Sequence, residues 1–502
     1  MDILAPLLAE GRAAAAHAPW PRADIGPETW QRVILHLAGG ELDLLGLWGE
    51  ADRVHMAVSA PESHEIAVFT LACPEGRFPS VGLSHPPAIR LERTIQDLFG
   101  LIAEGAEDAR HWFDHGAWGI GTPLGTPGPA PDHAYAFLPV TGENLHQIPV
   151  GPVHAGIIEP GHFRFTADGE TIIRLEQRLG YVHKGTEGLM IGAPLDHAAR
   201  LAGRVSGDAT VAYACGFARA AEAALGIAPP PRAIHLRAVM AELERIANHI
   251  GDFGAICNDA SFALMLAHCS VLRERILRAA HLAFGHRLMM DRVVPGGLSQ
   301  DITAEGLAAI AGLIPVFRAR LDQLAALYDS TASLQERTVT TGFVQPDYVR
   351  HFGCGGHVGR ASGRLFDSRK WPSYAPYDST KFDVPLRTDG DVNARVWIRI
   401  EEIRQSLAIL DHLLATLPPG PRRTALPAPS TPVEGMSLTE SFRGDVLIWL
   451  RIAPDLTIQR CHARDPSWFQ WPLLETCVYG NIVADFPLCN KSFNCSYSGT
   501  DL

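Results

Sequence analysis

The side chains able to bind a soft metal are present, but at the wrong spacing. Nine cysteines (Cys73, Cys215, Cys257, Cys269, Cys354, Cys461, Cys477, Cys489 and Cys495) are scattered along 502 residues. No two form a Cys-x-x-Cys pair, the spacing that brings two thiolates onto one metal. Other candidates for chemistry are polar. Asp208 lies in "RVSGDAT" (Arg204–Thr210), just before a helix predicted to begin near Thr210. It reads as a helix N-cap, or as a carboxylate needing an arginine if it is buried, with Arg204 and Arg443 as the candidates. His154 in "GPVHAG" follows a Gly-Pro turn, and Glu159 stands close behind it. The ring is either a proton relay or a group that fixes its loop. The carboxylate is either a proton carrier or a loop cap. The glycine-rich "GCGGHVGRASG" (Gly353–Gly363) lacks a strand before it and a GxGxxG frame, so it reads as a tight loop and not a nucleotide cradle.

These residues must be positioned by a chain of mixed class. Hydrophobic residues make up 47% and charged ones 20%, and the formal net charge is −12. That balance fits a globular protein and argues against nucleic acid as a partner. No run of about 18 apolar residues occurs, so direct membrane insertion is not expected. The N-terminus lacks a basic stretch followed by an apolar core, and the cysteine number is odd. Both predict a cytoplasmic protein with reduced thiols.

Two proline-rich segments punctuate the chain, Ile120–His133 and Leu417–Pro432. The first sets an expected boundary: an α/β domain with linker over 1–130 and a mostly helical domain with small β elements over 131–502. The class is α+β. "VHMAVSAPESHEIAVFTLAC" reads as two strands around a turn. "AIRLERTIQDLFG" reads as a helix stopped by Gly100. "HFRFTADGETIIRLEQRLG" reads as a hairpin turning at Asp168–Gly169. In "RAVMAELERIANHIGDFGAI", Val239, Leu243, Ile246 and Ile250 recur at helical spacing. "ARVWIRIEEIRQSLAILDHLLATL" reads as an amphipathic helix whose Arg399, Glu402 and Arg404 form a solvated face. "DVLIWLRIA" is the clearest strand of the tail.

Several long motifs carry a resemblance. "GPVHAGIIEPGHFRF", "LGYVHKGTE", "ELERIANHIGDFGAICND", "YDSTKFDVPLRTDGDVNARVWIRIEEIRQSL" and "TESFRGD" occur in that order. Together they resemble the large subunit of group 4 nickel–iron hydrogenases and the 49-kDa-type subunit of respiratory complex I. "HPPAIRLERTIQDLFGL" resembles the 30-kDa-type subunit of complex I. The chain is thus similar to a natural fusion of the two, with the layout of formate-hydrogenlyase-type large subunits, over roughly residues 30 to 502.

The resemblance has a gap at its centre. The family holds its metals with the pairs R-x-C-G-x-C and D-P-C-x-x-C, because soft anionic sulfur suits nickel and iron. Here the four positions carry Ser206, Ala209, Ser467 and Gln470. The position of the complex I tyrosine that meets the quinone head group carries Gly207, whereas His154 matches the family's loop histidine. Arg443 matches an arginine overlooking the metal pocket, and Asp465 keeps the family aspartate. The resemblance therefore implies a large subunit of a membrane-anchored oxidoreductase, of hydrogenase-4 or NADH:quinone oxidoreductase type. Such a protein takes part in electron transfer coupled to ion translocation. No metal is expected on its own cysteines. The catalytic candidates are His154, Glu159, Asp208 and Arg443, and a quinone is the candidate small molecule. A small iron–sulfur subunit with its own cluster and membrane-arm subunits are the expected partners. They would hold the chain peripherally on the inner face of the membrane. The alternatives are a scaffold without turnover and an active nickel–iron hydrogenase, which the missing cysteines disfavour. The polar, aromatic C-terminus reads as docking on a partner or packing on its own chain.

Overall fold

The computed structural model describes residues 3–130, 135–154 and 158–502. The end of the first proline-rich segment and three residues after His154 lie outside them. The N-terminal region builds a five-stranded mixed sheet from Arg12–Ala13, Arg22–Ile25, Ile66–Ala72, Arg53–Ser59 and Asp43–Glu50, in that spatial order. Strands Asp43–Glu50, Arg53–Ser59 and Ile66–Ala72 are almost wholly buried, as their apolar runs require. Helices Pro27–Ala38 and Ile89–Phe99 cover this sheet. The second helix ends at Gly100, whose φ of 74° is the left-handed cap that glycine adopts without strain.

The expected hairpin is present, His162–Asp168 against Thr171–Arg178, joined on its other edge by Leu145–Val150. Long helices follow: Thr210–Leu225, Pro231–Asp259, Ala263–Phe284, Ala304–Ser330 and Val392–Ala415. Val239, Leu243, Ile246 and Ile250 all lie in the bundle core they form, beside Ile400, Ile403 and Leu407. After the second proline-rich segment the chain returns to strands Val433–Ser441, Gly444–Ile452 and Ile458–Arg464. The class is α+β, with sheets in both the N-terminal and C-terminal regions and the helical bundle between them in the chain.

Contact between the two regions is intimate. Residues His17–Ala18 add a parallel strand beside Glu434–Gly435, so the C-terminal sheet contains an N-terminal strand. Trp48 packs on Trp449 and stacks on His462, with ring centroids 5.6 and 5.2 Å apart. A shared apolar core joins Leu45, Trp48 and Val68 to Met436, Leu438 and Leu447. The core therefore runs across residue 130.

Candidate functional site

Three chain segments meet where the sequence puts the four metal-ligand positions. The first is the turn Gly207–Ala209 leading into helix Thr210–Leu225. The second is the step from strand Ile458–Arg464, through Asp465 and Pro466, into helix Ser467–Cys477. The third is the tail around Asn494–Ser496. Its Asn494 has a left-handed φ of 49°, and its Ser496 caps the last short helix by accepting from Gly499 N at 2.9 Å.

The hydroxyls of these segments satisfy one another. Ser206 Oγ donates to Asp208 Oδ1 at 3.0 Å and lies 2.9 Å from Ser496 Oγ. Ser496 N donates to Ser467 Oγ at 2.9 Å. Gln470 Nε2 donates to the Arg443 carbonyl at 2.6 Å, and its oxygen faces the Cys495 thiol at 3.9 Å. Ala209 is buried and contributes only a methyl group. The retained Asp465 has a packing role: it accepts from Tyr213 Oη at 2.6 Å and from Ser467 N at 2.8 Å. The hydroxyls and the amide at this junction are thus paired, as a low-dielectric interior demands.

Asp208 accepts both guanidinium N–H groups of Arg443, at 2.8 and 2.6 Å. Arg443 also donates Nε–H to the Asn494 carbonyl at 2.5 Å. Arg204 is engaged elsewhere, on Asp291. Asp208 makes no helix-cap hydrogen bond of its own. The pair is asymmetric: the Arg443 side chain is 4% exposed and that of Asp208 is 40% exposed. Burial pushes the Asp208 carboxyl up, but the charge and hydrogen bonds of Arg443 outweigh it and hold the group below its ordinary value. The pocket therefore has one ionic wall, and that wall reaches the surface.

Glu159 joins the edge of this site by accepting from Ser498 N at 3.2 Å. His154 does not reach it. Its Nε2 is 2.8 Å from the Gly161 carbonyl, and its ring packs 5.7 Å from Phe163, the geometry of a histidine fixing its loop. The tail itself packs inward. Asp501 accepts from Gly180 N and Val182 N at 2.8 and 3.0 Å, and Tyr497 is buried against Trp471. Self-packing, and not an outward-facing tail, is what the structure shows.

Beside the pocket lies a second polar body that sequence reading misses. Five arginines, Arg245, Arg360, Arg369, Arg395 and Arg399, and five carboxylates, Glu242, Asp252, Asp367, Glu402 and Glu440, are buried together. Glu402 accepts from Arg360 Nε at 2.8 Å, from Arg245 at 3.4 Å and faces His249 Nε2 at 2.8 Å. Arg360 reaches Glu440 at 3.0 Å. Arg369 clamps Asp367 with two hydrogen bonds and touches Glu242 at 3.0 Å. Arg399 donates to Asp252 at 3.4 Å and to His357 Nε2 at 2.8 Å. Asn494 Nδ2 then donates to Asp252 at 2.9 Å, tying this network to the tail that fills the pocket. The expectation of a solvated face is corrected here. Arg399 and Glu402 point inward between helices, and only Arg404, paired with Asp322, stays at the surface. Period-3.6 patterning cannot separate a charged solvent face from a buried face neutralised by a neighbouring helix.

Residues 259–434 match the family described as "Respiratory-chain NADH dehydrogenase, 49 Kd subunit". The chain is 30% identical to formate hydrogenlyase subunit 5 of Escherichia coli (strain K12) over 445 residues, covering 84% of this chain and 77% of that protein. The chain belongs to the family of hydrogenase and NADH–quinone oxidoreductase large subunits. It is likewise 30% identical to hydrogenase-4 component G of the same organism, over 89% of this chain and 80% of that protein. To the C/D-type NADH-quinone oxidoreductase protein of Bacteroides thetaiotaomicron it is 25% identical over 479 residues, 87% of this chain and 90% of that protein. The match to a C/D-type protein accords with a 30-kDa-type region fused ahead of the large subunit.

Within this family the residues present do not fit a nickel–iron centre. Two hydroxyls, a methyl and an amide stand at the ligand positions, and none is an anionic soft donor. Ser206 and Ser467 both bond directly to Ser496, so protein atoms occupy the space between the two loops. The nearby Cys495 thiol is pushed well up by burial, and Cys215 is pushed up to about 12. Both are held as neutral thiols, which are poor metal ligands. Among the described residues no group of three or more His, Cys, Asp and Glu side chains is placed to hold a metal ion.

Proposed function

We propose that this chain is the large subunit of a membrane-anchored oxidoreductase complex that works without a nickel–iron centre. A small iron–sulfur subunit passes the electrons and membrane-arm subunits move the ions. Among the described residues no helix is long and apolar enough to cross a membrane, so attachment runs through those partners. The chain's part is to hold and pass protons next to the electron path, with a quinone as the candidate small molecule at the loop of His154 and Glu159.

The observation that carries this reading is a run of buried polar groups behind the surface-reaching Asp208–Arg443 pair. Hydrogen bonds lead from that pair through Asn494, Asp252 and Arg399 to His357, and the His249–Glu402 pair stands beside it, the two histidine ring centroids 6.2 Å apart. Two features suit proton exchange. Burial pushes the Glu440 carboxyl up. Burial pushes the His249 ring below its ordinary value against the pull of Glu402, and its Nδ1 has no hydrogen-bond partner among the described residues.

A second reading, a scaffold without turnover, is favoured by the direct closure of the old ligand positions through Ser496. The native complex, purified with its partners and assayed for reduction of a soluble quinone, separates the two. The first reading expects turnover that Asp208→Asn slows, with a shifted pH profile. Turnover absent from an intact complex supports the scaffold.

A further inference from the structure

A cavity of about 450 Å³ lies away from the pocket just described, between the N-terminal strap, helices Thr210–Leu225 and Pro231–Asp259, and the loop around Tyr374. Its walls are largely apolar and aromatic, with Trp20, Ile227, Ile234, Met436 and Tyr374 among them. A volume in this range suits a small organic molecule.

Its charge is not balanced. Arg237, on one wall, is neutralised by two hydrogen bonds to Glu222, at 3.0 and 2.6 Å. Arg219 has no such partner: among the described residues no carboxylate forms an ion pair with it. Its guanidinium is nonetheless held in place. It lies 3.7 Å over the Tyr374 ring, and Nη1 donates to the Leu438 carbonyl at 2.7 Å and to Thr439 Oγ1 at 2.6 Å. Among the described residues Nε and Nη2 have no protein acceptor. A fixed, half-buried guanidinium with two free donors beside an apolar cavity is complementary to a planar anion.

We propose that this cavity binds a small organic carboxylate with a flat apolar body, and that Arg219 is its charge partner. The carboxylate takes the free N–H donors of Arg219, and the body fills the space between Trp20 and Met436. The site is independent of the proposed redox role, because none of its ligand-facing groups belongs to the Asp208–Arg443 pocket.

Titration calorimetry on the full chain tests this, with 2-naphthoate as the probe and its neutral isostere 2-naphthamide as the control. Naphthoate should bind once per chain, and the amide at least about tenfold more weakly, the loss expected for one charge-assisted pair. Arg219→Gln should bring naphthoate down to the level of the amide and leave the amide unchanged. Ala241→Phe, which fills the cavity from its wall, should weaken both. Should Arg219→Gln fail to fold, salt serves instead: rising sodium chloride should weaken naphthoate and not the amide. Equal binding of acid and amide, indifference to Arg219→Gln or to salt, or no binding of naphthoate at millimolar concentration would each overturn the proposal.

Discussion

The hydroxyl-lined junction of Ser206, Ser467 and Ser496 and the buried ion network lie side by side, yet they are built on opposite principles. The first is made of small neutral groups, Ser206, Ser467, Ser496 and Gln470, with a single ion pair at its rim. The second consists of four arginines and five carboxylates with almost no contact with solvent, and Arg395 beside them is held by Ser492 and two backbone carbonyls. Hydroxyls can trade one partner for another at small cost, whereas a buried charge cannot lose its counterion cheaply. The difference teaches where the chain has freedom. The hydroxyls of the junction can change at small cost, and the charges beside them are fixed by their partners.

That contrast can be broken by mutation. The largest effect is expected at Glu402, which serves Arg360, Arg245 and His249 at once. Glu402→Ala should cost about 3–5 kcal/mol in urea unfolding, because buried arginines lose their partner. A loss near that of a surface change would show that water enters the network. Asp208→Ala comes next, at about 2 kcal/mol. It strands the buried Arg443, but solvent already screens the exposed side of the carboxylate. Arg443→Met should cost less, since Asp208 can turn to water. A double-mutant cycle should show coupling, and additive effects would refute the pair.

A smaller effect depends on pH. Glu244 accepts from Val211 N and Ala212 N at the start of helix Thr210–Leu225, and burial pushes its carboxyl up to about 8. A raised value means that the folded state holds the proton more tightly. The stability from Glu244 is full below pH 4.5 and falls as pH rises through about 8. Glu244→Gln should therefore flatten the decline in unfolding midpoint between those values. A parallel decline in wild type and variant would assign the slope to other groups. The smallest effect is expected for Ser206→Ala, about 1 kcal/mol, the worth of one shared hydroxyl. A loss as large as that at Glu402 would erase the distinction between the two regions.

Much of the fold is legible in the sequence because its signals are local. Asp168–Gly169 marks a hairpin, Gly100 ends a helix, and Leu243, Ile246 and Ile250 mark a core face. For Asp208 the sequence leaves a helix cap and pairing with Arg204 or Arg443 open, and geometry chooses Arg443. What the sequence hides is long-range. Arg399 and Glu402 have the spacing of a wet helix face, and their neutralisation comes from Arg360, Asp252 and His249, distant in the chain. Ser496 joins Ser206 to Ser467 from the C-terminal tail, which carries no motif that announces it. The glycine-rich segment, expected as a tight loop, folds over Gly356–Ala361 as a short helix, and its glycine at 356 has its reason only in three dimensions: with φ of 66°, a Cβ there would collide with the Arg443 carbonyl.

The central claim is that the family frame persists here around a polar network instead of a metal centre. Elemental analysis of the native complex, purified under anaerobic conditions with its partner subunits, tests this most directly. Iron should appear with the iron–sulfur cluster of the small partner, and nickel should be far below one per large subunit, because hydroxyls and an amide stand where thiolates would bind. About one nickel per chain, retained after chelator treatment, would contradict the account.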